Sequence, residues 1–158
     1  MNLKRFHPAI FTALWLLPVL AIFQTSVADR FAINGVIPGI MLVVIVNWGI
    51  LRGTDEGMLW ALLGGLCLDV FTSWPFGTNT VALVIVASVV SLGQGTFMRT
   101  HVLLPPVTVF AATVLFYLIA LFILASTQHS VDFLQALQTA VIPAALYNGA
   151  LNVLIFPL

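Results

Sequence analysis

An aspartate inside an apolar run is the residue of this sequence best placed to do chemistry. Asp69 stands in LLGGLCLDVF, close to the end of a continuous apolar stretch. A charged group at the centre of a bilayer costs at least about 3 kcal/mol on insertion scales, so such a residue is retained for a reason or lies near the surface. Three readings are open. Asp69 could be a proton or ion site, a buried anchor to another helix of this chain or of a partner, or an interfacial aspartate at a helix end. In the last case it would accept hydrogen bonds from Thr72, Ser73 or the backbone near Gly77. A proton path wants further acidic groups within the apolar runs, and the sequence has none there. The structural readings are therefore preferred.

Asn148 and Asn152 lie one helical turn apart in a late apolar run, beside Tyr147 and Gly149, and Asn47 stands beside Trp48 in an earlier one. An amide in hydrocarbon needs a partner, and interhelical bonds of this kind average about 0.6 kcal/mol. These side chains read as glue between helices before ligand contacts. His7, His101 and His129 fall in three separate segments, with no cysteine or carboxylate cluster at metal spacing. His129, Ser130 and Asp132 share one short polar connection without any nucleophile–base pattern beyond proximity. GGLCLD lacks the lysine and hydroxyl residue of a phosphate loop. The lone Cys67 has no internal disulfide partner. No cofactor, metal or catalytic residue is expected, and the chain is not expected to be an enzyme.

The elements that must position these residues are apolar throughout. The chain has 158 residues, 61% hydrophobic and 6% charged, with a mean hydropathy of +1.16. A soluble domain carries about 25% charged residues, so so few charges leave lipid as the solvent for most of this surface. The net charge of zero gives no basic patch for nucleic acid. Six runs approach the roughly 17–25 apolar residues of a spanning helix: Pro8 to Phe23, Val36 to Leu51, Met58 to Phe71, Thr80 to Leu92, Val102 to Ala125 and Phe133 to Leu158. The second, third and fourth are short, and the third is open to a partly re-entrant path. None shows the apolar–polar alternation of a barrel strand. The expected architecture is an all-α polytopic membrane protein of about six transmembrane helices, residues 1–158 forming one transmembrane domain.

The connections are short, among them the polar RGTDEG (52–57) and TSWPFGTN (72–79), the latter broken by Pro75 and Gly77. Short-loop basic residues set orientation. With the N-terminus in the cytoplasm, Lys4, Arg5, Arg52 and Arg99 lie inside and only Arg30 outside. The run after Lys4 and Arg5 is long for a signal peptide, so an uncleaved first helix is expected. Small residues at Ala61, Gly64 and Gly65 allow close helix approach, and Ala9 with Ala13 makes a second such pair; packing within the chain is the default reading. Gly49 and Gly53 make a weaker match, because they run into a polar loop.

At Gly64 to Asn79, GGLCLDVFTSWPFGTN, the chain resembles the bacterial rod-shape-determining MreD family. That family carries a small-residue helix ending in an aspartate and an apolar residue, then a short turn and a glycine, here Gly65, Asp69, Val70 and Gly77. A proline-led run from Pro38 to Leu51 into the turn at 52–57 is similar, as is the C-terminal YNGALNVLIFPL with Asn148. The resemblance covers most of the chain in layout and about a quarter in specific motifs. It also implies a basic tail after the last helix, which this sequence does not contain.

The resemblance implies a fold similar to the S components of ECF-type vitamin transporters, and a place in the bacterial inner membrane. It implies a non-catalytic scaffold of the cell-elongation (Rod) complex, supporting peptidoglycan synthesis and rod shape. The implied partners are MreC, RodA and a class B penicillin-binding protein, with MreB contacted indirectly and membrane lipids around the bundle. Gly64, Gly65, Asp69, Gly77 and Asn148 are the expected structural or interaction motif. The alternative is an S component itself, with Ala9 and Ala13 facing the transporter partner. Against it, the outer loops offer few polar groups for a vitamin pocket: Asn34, Thr78, Asn79, Gln128 and His129.

Overall fold

A computed structural model describes residues 3–26, 30, 32, 36–92, 104–127 and 132–155, with side chains described from residue 10 onward. The elements are α1 (Leu3–Ser26), α2 (Ile40–Arg52), α3 (Thr54–Phe71), α4 (Thr78–Leu92), α5 (Leu104–Thr127), the single turn α6 (Phe133–Ala136), a π-helical segment (Leu137–Val141) and α7 (Ile142–Ile155). The last three run on without a break, so the described residues form six helical rods. Asp29, Asn34, Arg99, His101, Gln128, His129 and Ser130 lie outside the described residues, as do the side chains of Lys4, Arg5, His7 and Ala9.

Local chemistry sets the ends. Pro38 and Gly39 hold the start of the second apolar run out of helix, so α2 begins four residues later than that run does. Pro105 and Pro106 stand in the first turn of α5, where the missing N–H groups would have no intrahelical partner anyway. Within the last rod, Pro143 cannot donate to the carbonyl four residues back. The chain widens just before it, and the N–H of Ile142 reaches the carbonyl of Leu137, five residues back.

The RGTDEG segment is not the loop its composition suggests. α2 runs through Arg52, α3 starts at Thr54, and Gly53 alone turns the chain. Its φ of 104° and ψ of 175° belong to a region that only glycine adopts without strain. Thr54 to Gly57 are already helical, and Glu56 is buried near the N-terminal end of α3, where the helix dipole favours a negative charge. α3 is then continuous to Phe71.

α3 is the axis of the bundle. It packs on α4 most extensively, and on α1 and α2, while α5 packs chiefly on α7 and α4. Trp60 of α3 is fully buried, and its ring stacks on Trp48 of α2 at 3.8 Å between centroids and 13° between planes. The Arg52 guanidinium sits 5.2 Å from the centre of the Trp48 ring, within range of a cation–π attraction. α1 meets the bundle along Ala13, Leu17 and Ala21, one turn apart and fully buried. Its other side presents Phe11, Leu14, Trp15 and Val19, with Trp15 70% exposed. Val70, Leu92, Phe122, Leu146 and Leu154 are likewise open on other helices. Contiguous apolar surface of this kind suits lipid rather than water.

Leu104–Thr127 is long and apolar enough to cross a membrane, and Ile10–Ser26, Ile40–Arg52 and Thr78–Leu92 are shorter apolar helices. At 1.5 Å per residue, α2 spans only about 20 Å and α4 about 22 Å of a hydrocarbon core of roughly 30 Å.

Candidate functional site

The expected motif falls into three places. Gly65, Asp69 and Gly77 meet at the α3–α4 corner, Gly64 faces α2 and α1 from α3, and Asn148 sits in α7 on a different seam.

At the corner, Asp69 near the C-terminal end of α3 is 4% exposed. Its Oδ1 accepts from the backbone N–H of Asn79 at 2.9 Å and from Asn79 Nδ2 at 3.0 Å. Its Oδ2 accepts from the backbone N–H of Thr80 at 3.1 Å and from the Thr80 hydroxyl at 2.5 Å. The first N–H groups of any helix have no intrahelical partner. Here Thr78 N–H goes to the carbonyl of Pro75, Asn79 and Thr80 go to Asp69, and Val81 N–H makes the first regular bond to Gly77. Asp69 thus caps α4 from another helix. Its charge lies at the positive end of the α4 dipole, and four donors converge on it. Thr72 joins through Asn79 Nδ2, at 2.9 Å. Of the donors named for the interfacial reading of Asp69, the backbone just after Gly77 supplies two, the N–H groups of Asn79 and Thr80, while Thr72 reaches the carboxylate only through Asn79 Nδ2.

The glycines make this geometry possible in different ways. A Cβ on Gly65 would stand 2.4 Å from Thr80 Cα and 2.9 Å from its N, so the helix axes can approach this closely only with no side chain there. A Cβ on Gly64 would meet side-chain ends instead, Ile45 Cδ1 at 2.8 Å and Met41 Sδ at 3.1 Å. Gly77 contributes conformation, with φ +95° and open space where a Cβ would go.

The second seam ties α7 to α2 and α5. Asn148 Oδ1 accepts from the N–H of Gly39 at 2.8 Å, and its Nδ2 donates to the Thr113 hydroxyl at 3.2 Å. The Gly39 N–H is an orphan of the α2 N-terminus, so this asparagine too works as a cap from outside. One turn on, Asn152 Oδ1 accepts a short hydrogen bond from Asn47 Nδ2. The reverse bond is not made, and Asn47 Oδ1 and Asn152 Nδ2 are buried without partners among the described residues. Asn148 and Asn152 are therefore interhelical glue, as their types suggest.

Sequence reading alone missed three contributors. Thr80 was the start of an apolar run, although Thr-Asn-Thr is a residue set that favours helix N-termini. Gly39 was only part of a proline-led segment; a Cβ there would lie 2.8 Å from Asn148 Nδ2. Gly57 falls, by composition, in the polar turn at 52–57. In fact Gly49 and Gly57 face each other across the α2–α3 hairpin, with a Cβ on Gly57 only 2.9 Å from Gly49 Cα. Ala13 is fully buried against the bundle, so it is not available as the transporter-facing contact of an S component.

Chemically, the site holds structure together. The Asp69 carboxylate is fully occupied by donors, and the described residues hold no group of three or more His, Cys, Asp or Glu able to bind a metal ion. A family model described as rod shape-determining protein MreD matches residues 4–158. Among curated proteins and among solved structures nothing matches. The chain belongs to the rod shape-determining MreD family, and a role in rod shape follows from that membership.

Proposed function

From that family membership we propose that the chain is a non-catalytic scaffold of the cell-elongation complex in the bacterial inner membrane. It is a single multi-pass domain with its N-terminus in the cytoplasm, in the six-helix form of an ECF transporter S component. It binds MreC within the bilayer and supports peptidoglycan synthesis beside RodA and a class B penicillin-binding protein, with MreB reached indirectly. The observation that carries the reading is the match over residues 4–158. The site geometry supports it. The motif residues Asp69 and Asn148 are engaged in joining helices, and the exposed surface of α1 is a broad apolar face available to another helix. Association of helices in lipid runs on such packing.

The test is a mild-detergent pull-down of the tagged protein from its native membrane, with mass spectrometry of what is recovered. An MreC protein, with or without RodA and its transpeptidase, is the expected partner. Recovery of ATPase subunits with a transmembrane coupling protein would overturn the scaffold reading in favour of a transporter.

A further inference from the structure

A cavity of about 360 Å³ opens at the end of the bundle where α3 hands over to α4. It reaches inward past the capped corner to Phe116 and Tyr117 of α5 and to Asn148 of α7. The volume is within the range of roughly 300–1,000 Å³ usual for small-molecule sites.

Two features of its wall define what it can take. First, no Lys, Arg, His, Asp or Glu is among the described residues that line it. Phosphate and carboxylate groups want cationic partners, and ammonium groups want carboxylates or open aromatic cages. A charged ligand would be desolvated here without compensation. Second, the wall combines ring faces with unpartnered polar atoms. Trp74 and Phe116 lie 6.5 Å apart at 26°, and Tyr117 stands edge-on to Phe116 at 5.4 Å. Asn79 is 3% exposed and is held rigidly, its N–H on Asp69 and its Nδ2 on Asp69 and Thr72. Its Oδ1 has no hydrogen bond among the described residues, an acceptor left over on a wall where its orientation is fixed. Gln24 accepts from Met41 N–H through Oε1, which leaves its Nε2 to donate. The Tyr117 hydroxyl and the Trp74 indole N–H make no hydrogen bond among the described residues either.

We propose that this cavity binds an uncharged, ring-bearing small molecule. One face of the ring packs on Trp74 while its edge meets Tyr117, and its hydroxyl or similar substituents bond Asn79 Oδ1, Gln24 Nε2 and the Tyr117 hydroxyl. A sugar ring and a hydroxylated arene share this chemistry. The proposal stands apart from the scaffold reading, because a scaffold with or without such a ligand recovers the same partners in a pull-down.

The probe is phenyl β-D-glucoside, which is uncharged and carries both kinds of ring. The protein is held in phosphatidylcholine nanodiscs and binding is read by saturation-transfer NMR against empty nanodiscs. A saturable signal is expected with the protein and absent with empty discs. Ser73→Trp places an indole at the exposed rim of the cavity and should weaken binding at least tenfold. Tyr117→Phe removes one hydroxyl without filling space and should weaken it several-fold; it decides the matter should Ser73→Trp not fold. Methyl β-D-glucoside and phenol, run separately, assign the recognition to the sugar or to the arene. Phenyl phosphate keeps the arene but adds charge, and should not bind. A signal no greater than that of empty discs, equal binding by phenyl phosphate, or full binding in both folded variants would overturn the proposal.

Discussion

Asp69 holds four donors, two of them backbone N–H groups that have no other partner among the described residues. Removing the carboxylate strands them, and each buried orphan costs about 1–3 kcal/mol. Asp69→Leu should therefore lose folded protein, read as a collapse of the monodisperse peak in detergent size-exclusion chromatography. Asp69→Asn keeps one acceptor but turns an N–H toward Thr80, and should fall between leucine and wild type. Wild-type thermal stability for Asp69→Leu would show that the cap contributes nothing. Neighbouring glycines separate by the same logic. A methyl at Gly65 meets Thr80 backbone, whereas one at Gly64 meets the flexible ends of Ile45 and Met41. Gly65→Ala should cost more than Gly64→Ala, by roughly 1–3 kcal/mol as overpacking against unyielding neighbours does. Equal melting temperatures for the two would contradict the close approach seen at Thr80. The residue types at this corner were readable from sequence, because an aspartate in an apolar run is conspicuous. The backbone near Gly77 was readable as a donor too, but the Asn79 amide and the Thr80 hydroxyl were not, because side-chain partners ten and eleven residues away depend on how tightly the chain turns at Gly77.

Helices were legible in number and rough extent but not at their ends. Composition marks a helix by apolar content, yet Thr54 to Gly57 are polar and helical while Val36 to Gly39 are partly apolar and not. The difference lies in single residues: Gly53 turns the chain in one step, and Pro38 with Gly39 delays α2. The α2–α3 hairpin is thus a one-residue turn clamped by the facing Gly49 and Gly57. Gly57→Ala pushes a Cβ onto backbone and should spread the hairpin, disturbing the stack of Trp48 on Trp60, whose ring centroids are 3.8 Å apart. A shift in tryptophan fluorescence maximum together with a lower melting temperature is expected; an unchanged spectrum would mean the hairpin absorbs the methyl elsewhere. On the α2–α7 seam, Asn47 and Asn152 bond in one direction only and leave one acceptor and one donor unpaired. Replacing one asparagine strands the other, whereas replacing both by apolar residues of similar shape removes every orphan. The double variant Asn47→Leu/Asn152→Leu should be more stable than either single variant. Additive losses in a double-mutant cycle would show that the two amides do not act as a pair.

At the scale of the whole molecule, the two bends flanking α3 fix a relation that does not depend on orientation. α3 is a continuous rod of 18 residues, about 27 Å long at 1.5 Å per residue, with Gly53 at one end and the Phe71–Thr78 corner at the other. If the bundle crosses the bilayer, Arg52 and Phe76 must therefore emerge on opposite faces. Which face is which rests on charge: the basic residues at positions 4, 5, 52 and 99 favour the cytoplasm for the Gly53 end, and the cavity mouth beside Ser73 then faces outward. The chain's lone cysteine, Cys67, is half-buried in α3, so a Cys67→Ala background carries single cysteines introduced at the exposed positions Arg52 and Phe76. A membrane-impermeant maleimide applied to intact spheroplasts should label Phe76→Cys at once and Arg52→Cys only after lysis. The reverse pattern would invert the bundle and turn the cavity to the cytoplasm while leaving its wall unchanged. Labelling of both sites before lysis would mean that α3 does not span, and the short lengths of α2 and α4 would then read as a bundle lying partly outside the hydrocarbon core.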